Sequence, residues 1–133
     1  MITNRQANAL IMAGEARANE LAIAVNIAVL DAGAHLKKFS RMDGAVLGSI
    51  DLAMSKARTA VLFQIPSEAV WEYCKPGAPA HALEHSNGGL TPFAGGLPLF
   101  DANGVLIGAV GVSGGAVPQD LDIAGAAAAA LDT

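Results

Sequence analysis

The chain has 133 residues, of which 53% are hydrophobic and 15% charged, and its formal net charge is −4. This length fits a single domain over residues 1–133, because domains most often contain roughly 100–150 residues. The 12 acidic and 8 basic residues include no basic cluster larger than Lys37–Lys38, which argues against a nucleic-acid partner, and no apolar run reaches the roughly 20 residues of a membrane span.

The first half of the chain predicts a helix, a hairpin and a second helix. Apolar and small residues recur at a spacing near 3.6 from residue 4 to about 20, which is typical of an amphipathic helix. The apolar runs 25–30 and 35–42 flank a glycine-containing turn and predict a β-hairpin. Helical spacing returns over 48–64, and Pro66 ends that helix because proline cannot continue it.

The second half predicts a short helix, a long loop, a second hairpin and a closing helix. Residues 67–73 form the short helix after a serine cap. The stretch 75–96 holds so many prolines and glycines that we predict a loop, and loops of this length in compact domains are often functional. Strands 97–100 and 105–112 flank an Asn-Gly turn, and 118–131 follow a helical pattern with a proline near its first turn.

The predicted order is α-ββ-α-α-ββ-α, which places two hairpins in one antiparallel sheet covered by helices. This arrangement is an α+β architecture. Gly108 and Gly111 lie inside the last strand. They predict that a helix or another subunit approaches the backbone closely at that point, because glycine within a strand often marks such an approach.

Composition also bears on compartment and assembly. The opening residues lack a basic segment followed by an apolar core, so no signal peptide is predicted. Cys74 is the one cysteine, which excludes an internal disulfide and favours a reducing cytoplasm. The low content of charge predicts an apolar subunit interface, and therefore a homo-oligomer.

Several segments carry a resemblance to a known family. They are Val29–Gly33, Phe39–Ala45, Gly48–Ala60, Gly95–Pro98 and Ile107–Gly115. Together and in this order they are similar to the GlcG / HbpS / PduO C-terminal family, over residues 5 to 131. The resemblance implies a profilin-like fold with a five-stranded antiparallel sheet flanked by helices, in a symmetric oligomer. Members have been linked to haem binding, to haem or iron handling, and to operons for glycolate or diol use.

Two histidines in the predicted loop are candidate ligands. His81 and His85 stand four residues apart, so on a helical turn both imidazoles would face the same way and could bind a divalent metal or lie against haem. Glu84 lies between them and could act as a base or as an extra ligand. The alternative is a pair of ordinary surface histidines.

A group of charged residues falls where the first hairpin and the central helix are expected to meet: Arg41, Asp43, Lys56 and Arg58. A buried Arg or Lys commonly holds a carboxylate or a haem propionate, and Lys56 is the preferred anion contact. The alternative is a structural ion pair of Arg41 or Arg58 with Asp51.

These residues support functions of different classes. In the first, a haem- or tetrapyrrole-associated accessory protein uses His81 or His85 as a ligand and Lys56 or Arg41 for the propionates. In the second, a catabolic enzyme binds a short organic acid through Arg41 or Lys56 and moves protons with His85 or Glu84. The third possibility is an oligomeric scaffold that has no site.

Overall fold

The elements of the protein follow the predicted order. A computed structural model describes residues 1–132. Its elements are α1 (Asn4–Glu20), β1 (Asn26–Asp31), β2 (Leu36–Arg41), α2 (Ser49–Phe63), α3 (Ser67–Cys74), a 3₁₀ turn (Leu83–His85), β3 (Gly96–Phe100), β4 (Leu106–Ser113) and α4 (Val117–Ala129). The order α-ββ-α-α-ββ-α is confirmed, with the 3₁₀ turn added inside the predicted loop.

The sheet is antiparallel throughout, in the spatial order β2-β1-β4-β3. The expectation of five strands is wrong, since the sheet has four within residues 1–132. The longest stretch outside the helices and strands, 75–95, supplies no further strand because its prolines and glycines fold it into turns. The hydrogen bonds from Ala78 N to Lys75 O and from Gly89 N to Ser86 O, both 2.9 Å, close two of these turns.

Helices cover both faces of the sheet. Successive residues of a strand point to opposite faces, so β1 contributes Ile27 and Val29 to one core and Leu30 to another. The first core lies against α1 and α4 and includes Leu10, Val110, Val112 and Ile123. The second lies against α2 and includes Ala57, Ala60, Val61 and Ala109. Both faces of the two central strands are therefore buried.

Close contact between α2 and the sheet depends on two glycines. Gly96 and Gly111 are register partners on β3 and β4. A Cβ atom added to Gly111 would overlap the carbonyl oxygen of Ala53, and one added to Gly96 would overlap the carbonyl oxygen of Lys56. The predicted close approach at Gly111 is confirmed, and the approaching element is a helix of the same chain.

The ends of the helices show how local sequence determines their bounds. Thr3 Oγ1 accepts a hydrogen bond from Gln6 N at 3.1 Å, and Gln6 Oε1 accepts one from Thr3 N at 2.8 Å. This reciprocal pair is a capping box, which satisfies two otherwise unpaired donors.

No helix among residues 1–132 has the length and apolar character needed to cross a membrane.

Candidate functional site

Lys56 lies on the buried face of α2 and has two hydrogen-bond partners inside the protein. Its Nζ donates hydrogen bonds to Val112 O at 2.9 Å and to Asp120 Oδ2 at 3.0 Å. The side chains of Lys56 and Asp120 are 1% and 3% exposed. Burial lowers the pKa of Lys56, while the charge of Asp120 and its hydrogen bond oppose that shift. Lys56 therefore connects α2 to the end of β4 through Val112 and to the first turn of α4 through Asp120.

The predicted charged cluster is not formed. Each residue of an α-helix is rotated by about 100° from the one before it, so residues two apart point to nearly opposite sides. Arg58 therefore lies on the outer face of α2 and Lys56 on the inner face. Arg58 Nη1 donates to Asn87 O at 2.6 Å. Arg41 is exposed at the end of edge strand β2, and Asp43 is exposed just after it.

The alternative pairing with Asp51 is also absent among the described residues. Arg58 and Asp51 line the same depression beside Gly88 and Gly89, but seven residues of helix separate them by about 10 Å along the axis. The observed ion pairs of α4 are Lys56 with Asp120 and, at the surface, Arg17 with Asp122 at 2.8 Å. The acidic partner of Lys56 thus comes from a distant part of the chain.

The two candidate histidines are exposed and do not share a helical turn. Ala82 between them has φ +72°, a left-handed conformation, and only Leu83–His85 forms a 3₁₀ turn. The premise that His81 and His85 face the same way on a helix is therefore wrong. Within residues 1–132, no three His, Cys, Asp or Glu side chains converge in a group that could hold a metal ion.

An apolar depression of the surface is lined in part by residues that neighbour these histidines in the chain. It has a volume of about 270 Å³, and its lining includes Phe63, Ile65, Val70, Tyr73, Ala80 and Leu83. Ala80 immediately precedes His81, and Leu83 lies two residues before His85. The 75–96 segment therefore carries both the exposed imidazoles and part of the lining of an apolar, aromatic-containing depression.

Glu84 is oriented toward the protein interior. Burial raises the pKa of Cys74, and the charge of Glu84 and a hydrogen bond with it raise that pKa further. One oxygen of Glu84, Oε1, is buried without a hydrogen-bond partner among the described residues, whereas His85 is exposed. The catalytic assignment of Glu84 and His85 stays a prediction, and the opposite orientations of the two residues give it no support.

A second, larger cleft was not predicted from the sequence. Its volume is about 550 Å³, and it is lined by Glu68, Trp71, Glu72, Pro92, Phe93, Ala94 and Val117. Ser67 fixes its rim, since Ser67 Oγ donates to Phe93 O at 2.7 Å and accepts from Gly96 N at 2.9 Å. The ring centroid of Phe93 also lies 5.2 Å from Lys56 Nζ.

Glu68 is the polar group of this cleft that lacks a partner. Its Oε2 atom is buried and accepts no hydrogen bond from the described residues, and burial raises the pKa of its carboxyl group. Glu72, in contrast, is exposed and pairs with Lys75 at 2.7 Å. The sequence indicated this cleft only through the loop rich in proline and glycine that contains Phe93. No local pattern indicates that α3 and α4 pack against that loop.

Four antiparallel strands between helical layers, with open apolar depressions beside α3, define a small α+β sandwich that has candidate ligand-binding surfaces. A family model described as "Haem degrading protein HbpS-like" matches residues 2–129. The chain belongs to this HbpS-like family. The resemblance identified from the sequence segments is thereby confirmed.

Individual relatives agree with this assignment. Corrinoid adenosyltransferase PduO of Citrobacter freundii is 40% identical over 124 residues, which cover 92% of this chain and 37% of that protein. The chain thus spans just over a third of the length of this curated relative. The crystal structure of a PduOC:heme complex has a TM-score of 0.94 and 36% identity, over 98% of this chain and 95% of that one. Klebsiella pneumoniae protein ORFY also gives a TM-score of 0.94, with 34% identity, over 98% of this chain and 90% of that one.

Proposed function

We propose that the protein is a haem- or tetrapyrrole-associated accessory protein. The observation that carries this proposal is the similarity, over nearly the whole chain, to a structure solved as a haem complex. The similarity includes the α3 region and the 75–96 segment, where the exposed imidazoles lie. Because fold alone does not determine function, the proposal also needs residues suited to haem.

The surface beside the histidines has the chemistry that haem requires. His81 or His85 supplies an imidazole nitrogen, which is a common axial ligand of haem iron. Tyr73 and Leu83 belong to the adjoining apolar depression and provide an apolar surface for the edge of the porphyrin. Both histidines are exposed, so a ligand can reach them without rearrangement of the core.

The propionate contacts fit less well within one subunit. Lys56 has two internal partners and almost no exposure, so it does not fit a propionate in this conformation. Arg41 is exposed at one end of β2. The loop lies near the other end of that strand, where Leu36 lines a depression together with Gly88 and Gly89. Arg41 would therefore serve a haem held at a contact between copies of the chain.

A homo-oligomer is part of the same proposal. Exposed apolar side chains support it, and the largest exposed fractions are those of Met1 (72%), Met12 (71%), Leu47 (69%), Val46 (65%), Val105 (57%) and Tyr73 (56%). Exposed apolar surface of this kind often marks a subunit interface. If the 75–96 segment lies at such an interface, the two histidines of one copy would meet those of another.

Haemin titration tests the proposal. Wild type is expected to give a shifted Soret band on mixing with haemin, and the His81→Ala/His85→Ala double variant a weaker one. His35→Ala is the matched control, because His35 is also exposed but lies in the β1–β2 turn beside Asp31. An unchanged haemin spectrum with wild type would refute the function, and equal bands in wild type and the double variant would refute the ligand assignment. Native mass spectrometry of the haemin-loaded protein measures the number of subunits and haems.

A further inference from the structure

We propose that the cleft beside α3, lined by Glu68, Trp71, Phe93 and Val117, binds an organic amine, that is, a ligand with an apolar body and one protonated nitrogen. This site is distinct from the depression near His81 and His85 and does not depend on haem binding. Two features of the cleft carry the proposal. One is an unpartnered carboxylate oxygen, and the other is a wall formed largely by apolar and aromatic side chains.

The carboxylate of Glu68 identifies the polar group of the ligand. A buried polar atom normally has a hydrogen-bond partner, and each exception requires an explanation. Oε2 of Glu68 has none among residues 1–132, although the same residue lines an open cleft of about 550 Å³. Because Oε2 itself has almost no exposed surface, an ammonium group in the cleft would meet it after rotation of the Glu68 carboxylate. It would then donate a charge-assisted hydrogen bond, which is stronger than a neutral one.

The charges around the cleft favour a cation over an anion. Its two ionisable lining residues are Glu68 and Glu72, both acidic. Lys56 lies 5.2 Å from the ring of Phe93, but its positive charge is compensated by the buried carboxylate of Asp120. A carboxylate or propionate ligand would therefore meet two negative groups and no free positive one in the lining.

The apolar wall identifies the body of the ligand. Trp71 and Phe93 are 42% and 40% exposed, and Val117 at the start of α4 is 42% exposed. Aromatic faces attract cations, tryptophan most strongly, and they also cover apolar groups. A ligand with an aromatic or aliphatic body next to its amine would contact both kinds of surface in the cleft.

Trp71 supplies a direct measurement, because it is the one tryptophan of the chain and lines the cleft. Benzylamine is the probe, and benzyl alcohol and benzoate are its neutral and anionic counterparts. With wild type at neutral pH, benzylamine is expected to change the Trp71 emission saturably. Benzyl alcohol should bind at least about tenfold more weakly than benzylamine, because it lacks the charge-assisted hydrogen bond. Benzoate should bind most weakly.

Two conservative variants separate the two carboxylates of the cleft. Glu68→Gln should weaken benzylamine binding by about tenfold or more, whereas Glu72→Gln, which alters an exposed carboxylate already paired with Lys75, should change it by less than about twofold. Circular dichroism confirms that both variants are folded. Benzyl alcohol binding as tightly as benzylamine to wild type would overturn the proposal without reference to any variant. Absence of saturable binding, or a larger loss in Glu72→Gln than in Glu68→Gln, would also overturn it.

Discussion

Replacing Asp120 with asparagine should strongly destabilise the fold. The substitution keeps an oxygen that can accept the hydrogen bond from Gly115 N, which is 2.9 Å long in the native protein, but it removes the negative charge beside Lys56. The ammonium of Lys56 then remains buried with Val112 O as its one strong acceptor among the described residues. The expected loss thus isolates the effect of an unpaired buried charge.

The magnitude follows from this burial. Removing one partner of a buried ion pair costs about 3–5 kcal/mol, because the remaining charge is neither solvated nor compensated. For a chain of this size, we expect the melting temperature to fall by roughly 10–18 °C. Lys56→Met should also be destabilising. The Lys56→Met/Asp120→Asn double variant should lose less than the sum of the two single losses, because it leaves no unpaired charge.

Urea unfolding followed by circular dichroism measures these free energies of unfolding. Asp122→Asn is the matched control, since Asp122 lies two residues further along α4 and pairs with Arg17 at the surface. This control should lose far less stability than Asp120→Asn, because exposed ion pairs contribute little. Equal losses for the two aspartate variants, or additive losses in the double variant, would show that the buried ion pair does not stabilise the fold as argued.

Three further predictions concern single residues. Gly111→Ala should cost about 3 kcal/mol or more in urea unfolding, because its Cβ would overlap the backbone of α2, whereas Gly125→Ala should be neutral or stabilising by up to about 1 kcal/mol, since its site in α4 is open. Glu68→Gln should stabilise the protein at pH 7 by up to about 1 kcal/mol, and the gain should vanish below the ordinary glutamate pKa of 4.5. Asp31, whose carboxylate accepts backbone N–H bonds from Gly33 and His35, should titrate below its ordinary pKa of 3.8 in an NMR experiment.

The signs of the two pH predictions are opposite. Burial raises the pKa of Glu68 in the folded state, so its contribution to stability is full below pH 4.5 and is lost as pH rises through the folded pKa. Asp31 has a lowered pKa, so its contribution is present above pH 3.8 and is lost as pH falls through the folded value. A Glu68→Gln gain that persists unchanged at low pH, or an Asp31 pKa at or above 3.8, would contradict these expectations. Glu72→Gln serves as the control for Glu68.

Several features of the protein were determined by local sequence. The spacing of apolar residues and the position of Pro66 predicted the helices, because helix periodicity and proline geometry act over a few neighbouring residues. Gly111 indicated a close backbone approach, because a glycine within a strand often marks such an approach. The pattern along the chain also indicated four strands, whereas the expectation of five came from the family resemblance.

Other features were decided only by tertiary structure. Asp120 lies 64 residues from Lys56, so no local pattern pairs them, and Lys56 could equally have been an exposed anion contact. The left-handed conformation of Ala82 removed the shared helical face of His81 and His85, although their spacing suggested one.

The cleft beside α3 depends on the same long-range packing. Glu68, Phe93 and Val117 come from three separate segments, and they meet only because α2 packs on the glycines of β3 and β4 and Ser67 holds the loop. The periodicity of the sequence indicates the secondary structure within each segment. The partner of a buried charge and the lining of a cleft depend instead on which distant segments the core brings together.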